Sequence, residues 1–183
     1  MSGKRTVTIE VVSDVICPWC LIGTRRLEKA LASLPDVEAE IVYRPFLLDP
    51  STPPEGKDLR ENLRKKYGDP EPLFKRVETV AKQDGIDLDF KRIGRTSSTI
   101  GAHTLMRHAI AKGTQRALAK ALFGAYFLEG RDVGALDVLV PLATAHGFTA
   151  DEATALLRSE DEIAATKGEA KEASQSGISG VPF

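Results

Sequence analysis

The chain has 183 residues, with 25 Lys and Arg against 26 Asp and Glu, a formal charge of −1 with its three histidines neutral. That balance argues against a polyanion-binding protein, which needs a surplus of basic side chains. A 42% hydrophobic and 28% charged composition excludes a disordered chain.

No apolar run is long enough for a transmembrane helix. The polar stretch Met1–Arg5 leads directly into a strand-like run, without the apolar segment of a secretory signal. The expectation is a cytoplasmic protein with neither nucleic-acid nor membrane partners. Thr6–Ser13 is β-branched and mostly apolar, which predicts a central strand. A helical pattern opens near Pro18, with Leu21, Leu27, Ala30, Leu31 and Leu34 at i, i+3, i+4 spacing, and Pro35-Asp36 ends it. Val37–Tyr43 alternates and predicts a second strand with one wetter face. Strand, helix and strand in this order form a βαβ unit, which makes the two strands parallel.

Asp49–Gly56 is a turn-rich linker. Beyond it, to about Gln175, only helical patterns occur. Helices are predicted over Asp58–Tyr67, Pro72–Gln83, Ser98–Lys112 and Thr114–Leu128, closed by Gly68, Gly85, Gly113 and Gly130. Another over Ala135–Ala145 contains Pro141, which either kinks it or marks a late start. Thr149–Glu152 is a capping box, and Ser159–Glu162 repeats the pattern. Gly177–Phe183 reads as a loop entering one more strand.

Both cysteines lie in Cys17-Pro18-Trp19-Cys20, at the junction of the first strand and helix. Proline suits the first helical position, where its missing N–H costs nothing. Residues three apart share a helix face, so the two sulfurs can meet. Cys17 then lies at a helix N-terminus, where free N–H groups favour its thiolate, and Cys20 is placed as the resolving thiol. Trp19 projects an apolar surface beside the reactive sulfur.

Two plainer readings compete: unconnected structural cysteines, which would rarely both fall inside one CxxC at a strand–helix junction, and a zinc site. Zinc binding needs two further ligands from His103, His108 and His146, but His103 and His108 are five apart and do not share a helix face. Asp14, three residues before Cys17, is either a turn or helix cap or, if buried, a proton relay for Cys20. Leu118, Leu122, Tyr126 and Phe127 read as core, and Arg60, Arg64, Lys65 and Lys66 as a solvated face.

Ser13-Asp14-Val15-Ile16-Cys17-Pro18-Trp19-Cys20 after an N-terminal strand resembles the DsbA-type thioredoxin-like oxidoreductases, in particular their FrnE-like branch. Arg44–Pro50 and Gly180-Val181-Pro182-Phe183 resemble that branch too. The resemblance implies an α/β chain with a thioredoxin-like fold and a large all-helical insertion. Residues 1–55 and 176–183 would form the thioredoxin-like domain and 56–175 the insertion, its last helix packing back on the sheet. It also implies two further strands and a helix after Pro182, which leaves the thioredoxin-like domain incomplete in this sequence.

Val181-Pro182 matches the family's cis-proline loop, which implies that Val181 holds an extended substrate while Cys17 attacks. The stretch holding His103 resembles one that lines the cleft between the domains in relatives, which implies a substrate-binding role; a structural histidine is the alternative.

The expected activity is a thiol–disulfide oxidoreductase or isomerase working through a mixed disulfide with a thiol- or disulfide-containing protein. No metal, nucleotide or flavin motif is present, so no bound cofactor is expected. Electrons would come from a partner such as glutathione or a redox protein. The competing activity is a glutathione-dependent small-molecule isomerase or transferase, as in the related hydroxychromene-carboxylate isomerases and kappa-class glutathione transferases. Those relatives usually lack the second cysteine, so the presence of Cys20 favours redox work. A non-catalytic binding domain with a vestigial motif is a third reading.

Overall fold

β1 (Arg5–Ser13) and β2 (Val37–Pro45) run parallel, in register from Arg5 opposite Val37 to Ser13 opposite Pro45, in a computed structural model that describes residues 5–183. Residues 1–4, the greater part of the stretch without a secretory signal, lie outside the described residues. The crossover between the strands is α1 (Pro18–Ala32), begun by Pro18 at its first turn. At the other edge of β1, Val12 N–H donates to the Phe183 carbonyl at 2.9 Å and Phe183 N–H returns the bond at 3.1 Å. Such a reciprocal exchange is the antiparallel pairing, so β1 is central, flanked by β2 and by the segment that ends at Phe183.

The outer edge of β2 is closed by a side chain. The Gln115 amide accepts from Tyr43 N–H at 2.9 Å and donates to the Tyr43 carbonyl at 2.9 Å. An exposed strand edge is a template for unwanted pairing, and a buried glutamine meets both backbone groups at once.

The remaining helices are α2 (Leu59–Tyr67), α3 (Glu71–Gln83), α4 (Ile100–Ala109), α5 (Gln115–Phe127), α6 (Leu136–Thr144), α7 (Ala150–Arg158) and α8 (Glu160–Gln175). Their starts follow from local chemistry. Asp58 accepts from Glu61 N–H at α2, Thr149 and Glu152 cap each other at α7, and Ser159 accepts from Glu162 N–H at α8. α4, α5 and α8 pack against β2, and α3 against α1. One core runs from Ile22 and Tyr43 through Leu105, Leu118, Leu122, Phe123 and Phe127 to Leu139. Among the described residues no helix is long and apolar enough to cross a membrane.

Three details differ from the sequence expectations, and a fourth, Pro141, decides between the two alternatives left open. A pair of two-residue antiparallel strands, β3 (Lys57–Asp58) and β4 (Arg95–Thr96), ties the start of α2 to the segment before α4; two residues are too short to show a period. α4 stops at Ala109 rather than Lys112, because Thr114 N–H returns to the Ala109 carbonyl across Gly113 at φ +68. Pro141 lies inside α6, so the late-start alternative does not hold. Arg60 is not part of a solvated face: its guanidinium lies 5.3 Å from the Phe74 ring centroid and donates to the Phe90 and Ile93 carbonyls.

Candidate active site

β1 delivers the chain to a tight turn in which Cys17 N–H donates to the Asp14 carbonyl at 3.0 Å. Cys17 is the N-cap residue of α1 in an extended conformation, and no side-chain oxygen caps that end. The N–H groups of Trp19 and Cys20 face its sulfur instead. Both cysteines are free thiols, Cys17 3% and Cys20 1% exposed. Cys17 is therefore nearly buried and belongs to the hydrophobic core, with the Trp19 and Cys20 N–H groups and the Val181 carbonyl as the polar groups at its sulfur.

The electrostatics divide the pair into unequal partners. The Cys20 thiol hydrogen-bonds Cys17 and holds it below its ordinary value of 9.0; burial opposes this, the two N–H groups assist, and the Asp14 charge opposes again. Cys20 is pushed far above the thiol range, first by that same hydrogen bond and then by burial. One sulfur is thus prepared to ionise at the expense of the other.

The Val181–Pro182 peptide bond is cis, and the Cys17 thiol donates to the Val181 carbonyl at 3.5 Å. Pro182 rests on α1 at Gly23, where an added Cβ would stand 3.1 Å from the proline Cγ. Gly23 escaped the sequence reading. Its signal is a glycine inside an otherwise regular helical pattern, which marks close approach of another segment.

Cys17 opens onto a groove of about 340 Å³ between the Cys17–Trp19 turn, the Val181 loop, and α2 and α3. Leu59, Leu63, Phe74 and Val77 form its helical wall, with Tyr126 and Phe127 behind; Asp49, Asn62, Lys66 and Thr96 are its polar side chains. Trp19 (37% exposed), Leu48, Tyr67 (64%) and Leu73 are exposed large hydrophobic residues that line this groove. An apolar surface gathered in one place on a folded protein marks a contact site. Trp19 thus lies where the sequence put it, beside the sulfur.

His103 does not. It is 1% exposed and is not among the groove-lining residues, so the substrate-binding role expected of it is corrected: α4 turns the ring inward, and it has no surface to offer a ligand. Its Nε2 lies 3.3 Å from Asp14 Oδ1, while Asp14 Oδ2 accepts from Leu48 N–H at 2.8 Å. Asp14 is fully buried and pins the loop after β2 rather than capping α1. Its carboxylate makes no hydrogen bond to Cys20 among the described residues; the Asp14 backbone N–H faces that sulfur. His108 pairs with Glu162 at 2.8 Å and His146 Nδ1 donates to the Leu142 carbonyl at 2.7 Å, so the three histidines are separately engaged.

Comparison with known proteins follows the same lines. The family model described as a DSBA-like thioredoxin domain matches residues 8–183. The structure of a protein described as a "probable DsbA oxidoreductase" from Streptomyces coelicolor is 32% identical, with a TM-score of 0.84 over 96% of this chain and 78% of that one. An uncharacterized protein, YwbO, from Bacillus subtilis is 27% identical over 143 residues, 78% of this chain and 68% of its own. DsbM of Pseudomonas aeruginosa, described as a cytosolic disulfide reductase with GSH, is 16% identical with a TM-score of 0.66 over 96% of this chain and 84% of its own; that likeness concerns the fold alone.

Proposed function

The chain belongs to the DSBA-like thioredoxin domain family, and on that premise we propose that it is a thiol–disulfide oxidoreductase acting on protein substrates through Cys17 and Cys20. The observation that carries this reading is the asymmetry of the two thiols: Cys17 is favoured as thiolate and faces an apolar groove, while Cys20 is held protonated one turn deeper.

In the reductive direction the Cys17 thiolate attacks one sulfur of a substrate disulfide. That bond breaks, the first substrate thiolate leaves and takes a proton from water, and a Cys17–substrate disulfide forms. Cys17 is then no longer an anion beside Cys20. Cys20 gives up its proton to solvent and attacks the Cys17 sulfur, expelling the second substrate thiolate. The substrate gains two electrons and the Cys17–Cys20 pair becomes a disulfide. Two thiols of a partner, glutathione or a redox protein in the cytoplasm, return those electrons and become a disulfide themselves. DsbM of Pseudomonas aeruginosa, a relative in fold, is described with GSH.

The Val181 backbone, beside the reactive sulfur, is placed to align an extended substrate chain, a form of strand addition. The groove beyond it takes an apolar side chain next to the substrate cysteine.

Insulin reduction and refolding of scrambled ribonuclease, with Cys17→Ser and Cys20→Ser, test the proposal. The expected result is loss of both activities with Cys17→Ser, and accumulation of a mixed disulfide with Cys20→Ser. Activity that survives Cys17→Ser would overturn it. Turnover of a small molecule that needs glutathione and survives Cys20→Ser would replace it with the isomerase or transferase reading.

A further inference from the structure

The groove beside Cys17 is apolar over most of its wall, but it carries one charge without a partner among the described residues. α2 turns a single face to it: Leu59, Asn62, Leu63, Lys66 and Tyr67 line the groove at i, i+3, i+4, i+7 and i+8 spacing. The charged side chains of the lining are Asp49 and Lys66. Asp49 is answered within the fold. Lys57 Nζ donates to its Oδ2 at 2.8 Å, and the Ser51 hydroxyl and N–H donate to its Oδ1 at 2.6 and 3.2 Å.

Lys66 is not answered. Arg60 pairs with Glu71 at 3.3 Å and Lys65 with Glu61 at 2.6 Å, but among the described residues Lys66 has no carboxylate partner. The groove is therefore positive on balance, although the formal charge of the chain is −1. A basic residue in the last turn of a helix also complements the helix dipole. Arg64 and Lys65 do the same for α2 from outside the groove, so the dipole does not account for a lysine on the face shared with Leu63 and Tyr67. Lys66 remains exposed, and its ammonium is open to a partner. Across from it lie Cys17 and the Gly180–Val181 segment. An opposite charge brought into a cleft that partly excludes water is held more strongly than on open surface, and a like charge is turned away.

We propose that Lys66 is a specificity-determining residue, and that the groove takes disulfide-bearing peptide segments in which a large apolar residue and an acidic residue flank the cysteine. This rests on the proposed function, which supplies the extended chain and brings its cysteine to Cys17. Lys66 selects the chain and takes no part in the exchange of sulfur bonds.

Trp19 is the sole tryptophan and lines the groove, so its fluorescence reports occupancy without any disulfide chemistry. The probes are capped peptides Ala-X-Leu-Ser-X-Ala, with serine in place of the cysteine and X as Glu, Gln or Lys, titrated into the full reduced chain at low ionic strength. The Glu peptide is expected to bind about threefold more tightly than the Gln peptide and about tenfold more tightly than the Lys peptide. The differences should fade in 1 M salt, where the screening length falls to about 3 Å. Lys66→Met should bring the three peptides to equal affinity, and Lys66→Glu should reverse their order, whereas Arg64→Met should leave the order as it was. A merely structural role in α2 would weaken all three peptides alike. Equal affinities in the unaltered chain, no binding of any peptide, or an order that survives Lys66→Glu would overturn the proposal. A charge-ordered series in a protein that reduces no disulfide would sink the proposed function and leave recognition by Lys66 standing. Disulfide peptides with Glu and Lys flanks reduced equally well would do the reverse.

Discussion

The two sides of Cys17 are built from opposite materials. Toward the groove it is bordered by a pocket lined by Trp19, Leu48, Tyr67 and Leu73, large apolar side chains left partly in water. Toward the interior it faces Cys20 and the Trp19 and Cys20 N–H groups, with the buried Asp14–His103 pair on the same side. A partner can be captured only on the first side, where desolvation of apolar surface supplies affinity. The ease with which the sulfur ionises is set on the second, where low dielectric strengthens each charge and hydrogen bond. Substitutions on one side should therefore leave the property of the other untouched.

The largest effect should come from the sealed side. Asp14→Ala strands Leu48 N–H and His103 without their acceptor and is expected to lower stability by about 2–4 kcal/mol in denaturant unfolding; Asp14→Asn, which keeps an acceptor for Leu48, should lose less than half of that. Equal losses would mean that the pocket is not organised around the carboxylate. Next is the seam where the sides meet. Gly23→Val forces a branched side chain into Pro182 and should cost about 1–3 kcal/mol by overpacking, read as a lower melting temperature; an unchanged value would show that the Val181 loop is free to move away.

On the open side, Tyr67→Ser with Leu73→Ser should raise KM for a disulfide peptide with apolar flanks by about tenfold, about 1.4 kcal/mol, while the pH profile of Cys17 alkylation stays in place. A shift in that profile would erase the division of labour. The smallest effect is in the pH dependence of stability. Cys17 ionises more readily in the folded reduced chain than in the unfolded one. Its contribution is therefore full above about 9.0, the unfolded value, and is lost as pH falls through the lower folded value. Cys20, held protonated in the fold, works against stability above about 9.0. The reduced protein should gain stability as pH rises toward 9.0 and then lose it, and the oxidised protein, which has neither thiol, should show no such maximum.

How far the sequence revealed this arrangement depends on the range of the interaction concerned. β1, α1 and β2 are written in local periodicity, and the Pro18 start of α1 placed Cys17 and Cys20 correctly relative to each other. The family resemblance carried by Cys17–Cys20 and Val181-Pro182 brought the Val181 loop back to the cysteines, which no local pattern could do, but the pairing of Phe183 with β1 emerges only in the structure. The residues that escaped are those whose partners are far away in sequence. Gln115 reads as a polar helix-start residue until Tyr43, 72 positions earlier, is set against it. His103 acquires meaning only from Asp14, 89 positions earlier. Arg60 looks solvated in its own basic run, and only Phe74 and the Phe90 and Ile93 carbonyls draw it inward. Gly23 differs in kind, because its anomaly was visible in the sequence and only its cause, the Pro182 ring, was not.

The most direct test is alkylation of the fully reduced protein with iodoacetamide across a pH series, with each modified cysteine located by mass spectrometry. The account predicts that Cys17 is modified first, with a midpoint below 9.0, and that Cys20 stays unmodified until the protein unfolds. Preferential modification of Cys20, or two cysteines that react together with midpoints near 9.0, would contradict it.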